Sequence, residues 1–408
     1  MPVVLLIECM KRFYFLFLMY LLKIFLKFRF FTGKYFDTMI TYKAWTKIII
    51  YFLTVFLLVN IIIWKAYTED ILSFAPYHNG GLDRMGYIVG SKYYRKPEST
   101  LPRHHIENRE YRGQHVDVLT IGDSFFNMRM NGRDPLYQDW LATLYDLSIL
   151  NIQHLRGMDE LSTVVVLLNS GYLDKVRPRM IIIESVERYA ILKFGGEIDF
   201  RQSKSLSEIK EYYKTAGYAE NYPSVSFVNT GNFKFIFYNV LYLFSDNAFF
   251  SKVYVRDLNK SLFSVKKDKR LLFYFEDLEY IPFATRATVG KLNDNLNKLA
   301  ALLRDKGIVL VFMPAADKYN MYSEYIINNP YSKSVFFELL RPLHKDYILV
   351  DTKAILSDLI GRGEKDVYYS DDTHWSWKAA KRIAEDTKVP FVRKRDLDED
   401  AVVEKRSD

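Results

Sequence analysis

A serine at the end of an aliphatic run and a histidine set among acids are the residues of this chain best suited to chemistry. "VLTIGDSFF" (118–126) passes from an aliphatic stretch into Gly122, Asp123 and Ser124. "YYSDDTHWSWKAA" (368–380) puts His374 three residues after Asp371 and two after Asp372. A serine hydroxyl is a weak nucleophile until a base takes its proton. An imidazole whose Nδ1–H is held by a carboxylate is such a base, and either aspartate has the spacing to hold it. Gly122 permits a tight turn. Ser124 would then stand near the start of a helix, where free N–H groups and the helix dipole favour the negative charge of an oxyanion. The plain alternatives are a β-turn around Ser124 and a helix-capping segment around His374.

The elements that must carry these residues alternate. Short aliphatic strands are expected at 116–122, 148–153, 178–185 and 308–314, with "DYILVDT" as a further one. Between them, helical spacing appears at 134–147, 157–173 and 290–307. In the last of these Leu292, Leu296, Leu299 and Leu303 form one face before a Gly stop. Further helices are expected in "KSVFFELLRPLH", "AILSDLIGRG" and "WSWKAAKRIAEDT". Strands that are apolar nearly throughout, separated by helices, predict an α/β fold with a parallel sheet covered on both faces. In such a sheet ligands sit beyond the carboxyl ends of the strands, where Ser124 follows the first one. About a hundred residues, 195–289, break the alternation; rich in Tyr, Phe and Lys, they read as an insertion at the edge of the core, a lid or substrate surface.

"IGDSF" early and "DDTHW" late resemble the SGNH/GDSL hydrolase superfamily, and more narrowly its alginate O-acetyltransferase group (AlgJ/AlgX-like). "VFMPAADKYNMYSEYI" (311–326) is similar to that group's strand, Pro, Asp-Lys and Tyr segment. The resemblance covers roughly residues 112–390 and implies a three-layer α/β/α fold and acyl transfer through an acetyl-serine. It makes Ser124 the nucleophile and His374 the general base. The narrower group's D-T-H-W makes Asp372 the orienting acid, whereas the wider superfamily's D-x-x-H makes it Asp371; the sequence satisfies both. The oxyanion hole would use the backbone N–H groups of Ser124 and of Gly157, in "QHLRGMD". The superfamily's third donor, an Asn, has no counterpart, because the corresponding strand ends "IIIESVERY". Glu184, Glu187 and Arg188 stand there instead, as an ion pair or as sugar ligands. Arg188, Asp317, Lys318, Tyr322 and Trp375 are the candidates for contact with substrate. His104, His105, His115 and His154 lack metal-ligand spacing, so neither a metal nor a cofactor is expected.

The chain carries a net charge of +8, but residues 1–65 alone hold nine Lys/Arg against Glu8 and Asp37. The remainder is close to neutral and has no broad basic surface for nucleic acid. Residues 48–64, "IIIYFLTVFLLVNIIIW", are uncharged and ~26 Å long as a helix, at the short end of what crosses a bilayer. Trp45, Trp64 and Tyr67 lie at its ends as interfacial residues do, and Lys43 and Lys47 before it predict a cytoplasmic N-terminus. No small-residue cleavage site follows, so the run reads as an uncleaved anchor. Residues 11–31 form a basic interfacial helix or a poor first span, or else translation begins at Met39. Cys9 is the only cysteine, so no disulfide closes within the chain.

The expected order is therefore an N-terminal segment (1–47), a transmembrane anchor (48–64), a connector (65–112), a catalytic domain (113–395) and a polar tail (396–408). The expected activity is serine-type O-acetyl transfer to a polysaccharide outside the cytoplasmic membrane, with a multi-pass membrane acyltransferase supplying the acyl group. An esterase using the same residues, and a non-catalytic polysaccharide-binding or assembly factor on the same scaffold, are the alternatives.

Overall fold

The computed structural model describes residues 38–72, 80–88, 101–127, 136–215 and 225–392. The expected segment at 11–31 lies outside them. The chain divides into two units, Met1–Ile63 and Trp64–Asp408.

In the first unit, helix α1 (Thr38–Ile63) carries no charge from Ile48 onward. Ile49, Tyr51, Phe52, Leu53 and Leu58 are all exposed. Three of its polar side chains bond to carbonyls one turn back. Thr46 and Thr54 donate to the carbonyls of Tyr42 and Ile50, and Asn60 to that of Phe56. Internal satisfaction of this kind is what a hydrocarbon environment demands. The helix is long and apolar enough to cross a membrane, and the stretch that qualifies runs from Tyr42 to Leu72, longer than the 48–64 expected.

The second unit is the expected α/β body. Six strands, β1 (Ile106–Glu107), β2 (Val118–Ile121), β3 (Ile149–Ile152), β4 (Met180–Val186), β7 (Val309–Ala315) and β8 (Ile348–Leu349), form a sheet in the order β1-β3-β2-β4-β7-β8. All its pairings are parallel. Every residue of β2, β3 and β4 is buried, which requires cover on both faces. Two groups of helices, each packed within itself, provide it. One contains α4 (Tyr137–Tyr145), α10 (Thr352–Gly361) and α11 (Trp377–Asp386). The other contains α5 (Glu160–Asn169), α6 (Glu187–Phe194) and α9 (Arg286–Arg304). The four leucines of α9 are fully buried, so the face read from their spacing is the face that packs.

The segment that breaks the alternation folds as α7 (Leu206–Thr215), α8 (Thr230–Leu241) and an antiparallel pair, β5 (Val253–Asp257) and β6 (Arg270–Tyr274). It does not stay at the edge. Leu258, Leu262, Phe263, Leu271 and Phe273 join the principal core. The connector also engages the body: its short helix α2 (Gly81–Gly86) packs against β5 and β6.

Candidate functional site

Register sets Ile121, the last residue of β2, opposite Ile152, the last of β3, and opposite Ile183, three residues before β4 ends at Val186. The residues that follow those ends build the site. After β2 the chain turns through Gly122 and Asp123 into the single turn α3 (Ser124–Asn127). A Cβ on Gly122 would come within 2.9 Å of Glu184 Cβ and of a Phe126 ring carbon, so the glycine is required by close approach to β4. Asp123 fastens the turn. Its carboxylate accepts the N–H of Phe125 at 3.0 Å and that of Val186 at 2.8 Å, while its own N–H donates to Glu184 at 2.9 Å. Beneath lies a polar ladder: Asn127 donates to the carbonyls of Gly122 and Asp123 and accepts from Asn151 and Gln153. Thr120 and Gln138 in turn donate to Asn151.

Ser124 is thereby held half-buried at the rim, and 250 residues later His374 meets it. His374 Nε2 lies 2.8 Å from Ser124 Oγ. On the other side of the ring, Nδ1 is 2.5 Å from Asp372 Oδ1, which also accepts the backbone N–H of His374 at 3.0 Å. Phe125 packs against both the imidazole and Trp375, with ring centres 4.8 Å apart in each case. The serine, the imidazole and one carboxylate are thus in line, in the arrangement that lets an imidazole accept a hydroxyl proton.

The two aspartates, equivalent by spacing, are not equivalent in space. Asp371 turns toward the connector: its carboxylate accepts the N–H of Gly80 at 2.9 Å and its carbonyl accepts those of Leu82 and Asp83. Asp372 faces His374 with one oxygen and accepts the Gly81 N–H with the other, at 2.5 Å. The connector therefore supplies donors to both acids. Gly80 and Gly81 were not among the expected site residues; a Gly-Gly pair ahead of a short helix was the only signal. Gly157, with φ +78°, is exposed on the connection between β3 and α5.

All five residues expected to touch substrate are buried, and each is engaged with neighbours inside the fold. Lys318, fully buried, donates to the carbonyls of Tyr369, Ser370 and Asp372 at 2.7, 3.2 and 2.8 Å, so it braces the loop that carries both aspartates and His374. Burial pushes its ammonium down to about 8, against the pull of Asp372 and Asp371. Arg188 forms an ion pair, with Asp317 and, at 3.2 Å, Asp277. Burial raises both of these carboxyls, Asp277 to about 6, because one guanidinium offsets two acids only in part. Tyr322 accepts the Tyr368 N–H inside the core. Trp375 is also buried, edge-on to Phe125.

The end of β4 explains itself in the same way. Glu187 accepts from Asn320, Ser334 and the Asp317 N–H, tying β4 to the chain after β7. Glu184 lies fully buried under the Gly122–Asp123 turn. Burial first, then the charges of Asp123 and Glu160, push its carboxyl well above the usual range, favouring the neutral form. Sequence reading missed Asn151 as part of the site, and read Glu184 as an ion-pair or sugar-binding residue where the fold puts it beneath the turn. The signal was present, since a lone polar residue in an otherwise apolar buried strand must find a partner.

Residues 252–404 match the family model described as the SGNH hydrolase-like domain of acetyltransferase AlgX. The match takes in Asp371, Asp372 and His374, begins after Ser124, and includes β5 and β6 of the segment read as an insertion. No curated protein matches the chain.

Proposed function

Starting from an SGNH hydrolase-like domain of the AlgX kind over residues 252–404, we propose that the protein is a serine-type O-acetyltransferase. Its body is held at a membrane by α1 and acts outside the cytoplasm on the hydroxyl groups of a polysaccharide. The 2.8 Å separation of Ser124 Oγ and His374 Nε2 carries this reading. His374 Nε2 takes the hydroxyl proton as Ser124 Oγ attacks the acetyl carbonyl of the donor. The negative charge that develops on the carbonyl oxygen is met by the Ser124 N–H at the start of α3 and by the Gly157 N–H. The tetrahedral species collapses, His374 protonates the departing group, and acetyl-Ser124 remains. A sugar hydroxyl then gives its proton to His374 and attacks the acetyl carbonyl, forming the new ester and freeing Ser124 with its proton restored. Throughout, Asp372 keeps the Nδ1–H in place, so that Nε2 is the nitrogen free to take a proton. The acyl donor, on this reading, is a multi-pass membrane acyltransferase that carries acetyl groups across the bilayer.

Purified full-length protein given an activated acetyl ester should gain one acetyl group on Ser124 by mass spectrometry. Ser124→Ala should lose this by about 10,000-fold or more. Equal acetylation of the variant would reject the serine as nucleophile. Release of the acetyl group to water as fast as to sugar would favour an esterase. The acid-rich end of β4, where the superfamily's third oxyanion donor is expected, favours a second reading, a polysaccharide-binding factor without catalysis. That reading requires polymer acetylation to survive His374→Ala.

A further inference from the structure

The aromatic-rich segment carries an exposed apolar stripe that the catalytic reading does not use. On α8 and the turn after it, Phe233, Ile236, Phe237, Val240, Leu243 and Phe244 all point outward, the last two 78% and 73% exposed. Their spacing follows one helical face. The opposite face is committed to the body: Gly231 and Asn232 are buried, Tyr238 stacks on Tyr87, and Asn239 donates to the Tyr87 carbonyl. A stripe of this size on a soluble protein marks an interaction surface.

What covers it is indicated by the chain segment that holds α8. Trp64 donates to the Val225 carbonyl at 3.1 Å, Tyr67 stacks on Phe235 at 4.7 Å, and Thr68 donates to Asn232 at 2.5 Å. A Cβ on Gly231 would meet Leu72. Trp64 is covalently the next residue after α1, and residues 64–72 rise only ~13 Å as helix. The segment that carries α8 is therefore fastened to the residues that directly follow α1 in the chain. Lys234, next to Phe233, is exposed and suited to anionic headgroups.

We propose that the α8 stripe lies in the lipid headgroup layer, a second, peripheral contact that holds the body against the membrane surface. The inference rests on the reading of α1 as an anchor. An aliphatic and aromatic face sunk a few ångströms into the interface is the known behaviour of interfacial helices. It would fix the height and tilt of the Ser124 rim above the bilayer and so favour acyl donors presented at the membrane.

The test uses the full chain in bilayer nanodiscs with no other protein, Cys9→Ser, and one fluorophore at a time on Ile62→Cys, Phe244→Cys or, outside the stripe, Leu192→Cys. Lipids brominated high on the acyl chain should quench the Ile62 and Phe244 labels about two-fold or more and leave the Leu192 label unchanged. Quenching at Ile62 without quenching at Phe244 overturns the proposal and leaves the anchor standing. No quenching at Ile62 overturns both. Phe237→Asp with Val240→Asp should abolish quenching at Phe244 while acetyl-enzyme formation from a soluble ester is retained; persistent quenching in that variant would also count against the stripe.

Discussion

Asp372→Asn tests the proposed acid because the two carboxylate oxygens have different and incompatible demands on an amide. Oδ1 accepts the His374 N–H and faces His374 Nδ1, and Oδ2 accepts the Gly81 N–H at 2.5 Å. An asparagine has one oxygen for both places. With its oxygen toward His374, its NH2 meets the Gly81 N–H donor to donor, costing about 1–3 kcal/mol in stability for the lost bond. With its oxygen toward Gly81, the NH2 donates to Nδ1 and forces the proton onto Nε2, the atom that must accept from Ser124. A wrong tautomer of this kind lowers turnover by about 1,000- to 10,000-fold, or about 4–5.5 kcal/mol of barrier. Asp371→Asn should differ, because its carboxylate is turned to the N–H of Gly80 and not to the His374 ring. Less than about ten-fold loss is expected there. The assay is the pre-steady-state rate of Ser124 acetylation by an activated ester, with circular dichroism to verify folding. A severe loss in Asp371→Asn together with a mild one in Asp372→Asn would refute the assignment and return the acid to the D-x-x-H position.

The remaining expectations are independent of one another. Lys318→Met removes the donor shared by the Tyr369, Ser370 and Asp372 carbonyls. It should cost about 3 kcal/mol in urea unfolding and lower kcat more than KM, and a fully active, fully stable variant would show that the loop holds itself. Gly122→Ala drives a methyl group into Glu184 and Phe126, and should cost about 3 kcal/mol or prevent soluble expression; a wild-type melting temperature would disprove the close approach. His105 is buried between Asp139 at 2.8 Å and Glu107 at 3.0 Å, and these acids hold its imidazolium up to about 9 from an ordinary value of 6.5 despite burial. A raised folded value means the bonus is complete below about pH 6.5 and is lost as pH climbs through about 9. The stability difference between wild type and His105→Gln should shrink across that window, and a constant difference from pH 6 to 10 would contradict it.

Much of this protein was legible in the linear chain. The order of strands and helices could be read because a strand covered on both faces is apolar nearly throughout, as in "MIII" (180–183), and because α9 must repeat its leucines to pack. The long apolar run before Trp64 could be read for a related reason, since length and lack of charge are local properties. The types of residue that could do chemistry were visible too, a serine after a strand and a histidine among acids. Spacing could not choose between Asp371 and Asp372, because a loop lets either carboxylate reach the ring. Nor could it tell that Arg188, Asp317, Lys318 and Tyr322 turn inward, since a polar residue after a strand serves a substrate or a neighbour equally well until its neighbours are known. Those choices were made by contacts across the sequence: Gly80 and Gly81 on the aspartates, Asp277 on Arg188, Lys318 on the loop before His374. Periodicity records which way a side chain faces relative to its own element. Only the packing of distant elements decides which polar groups lose water, and a group that loses water must take whichever partner the fold has brought to it.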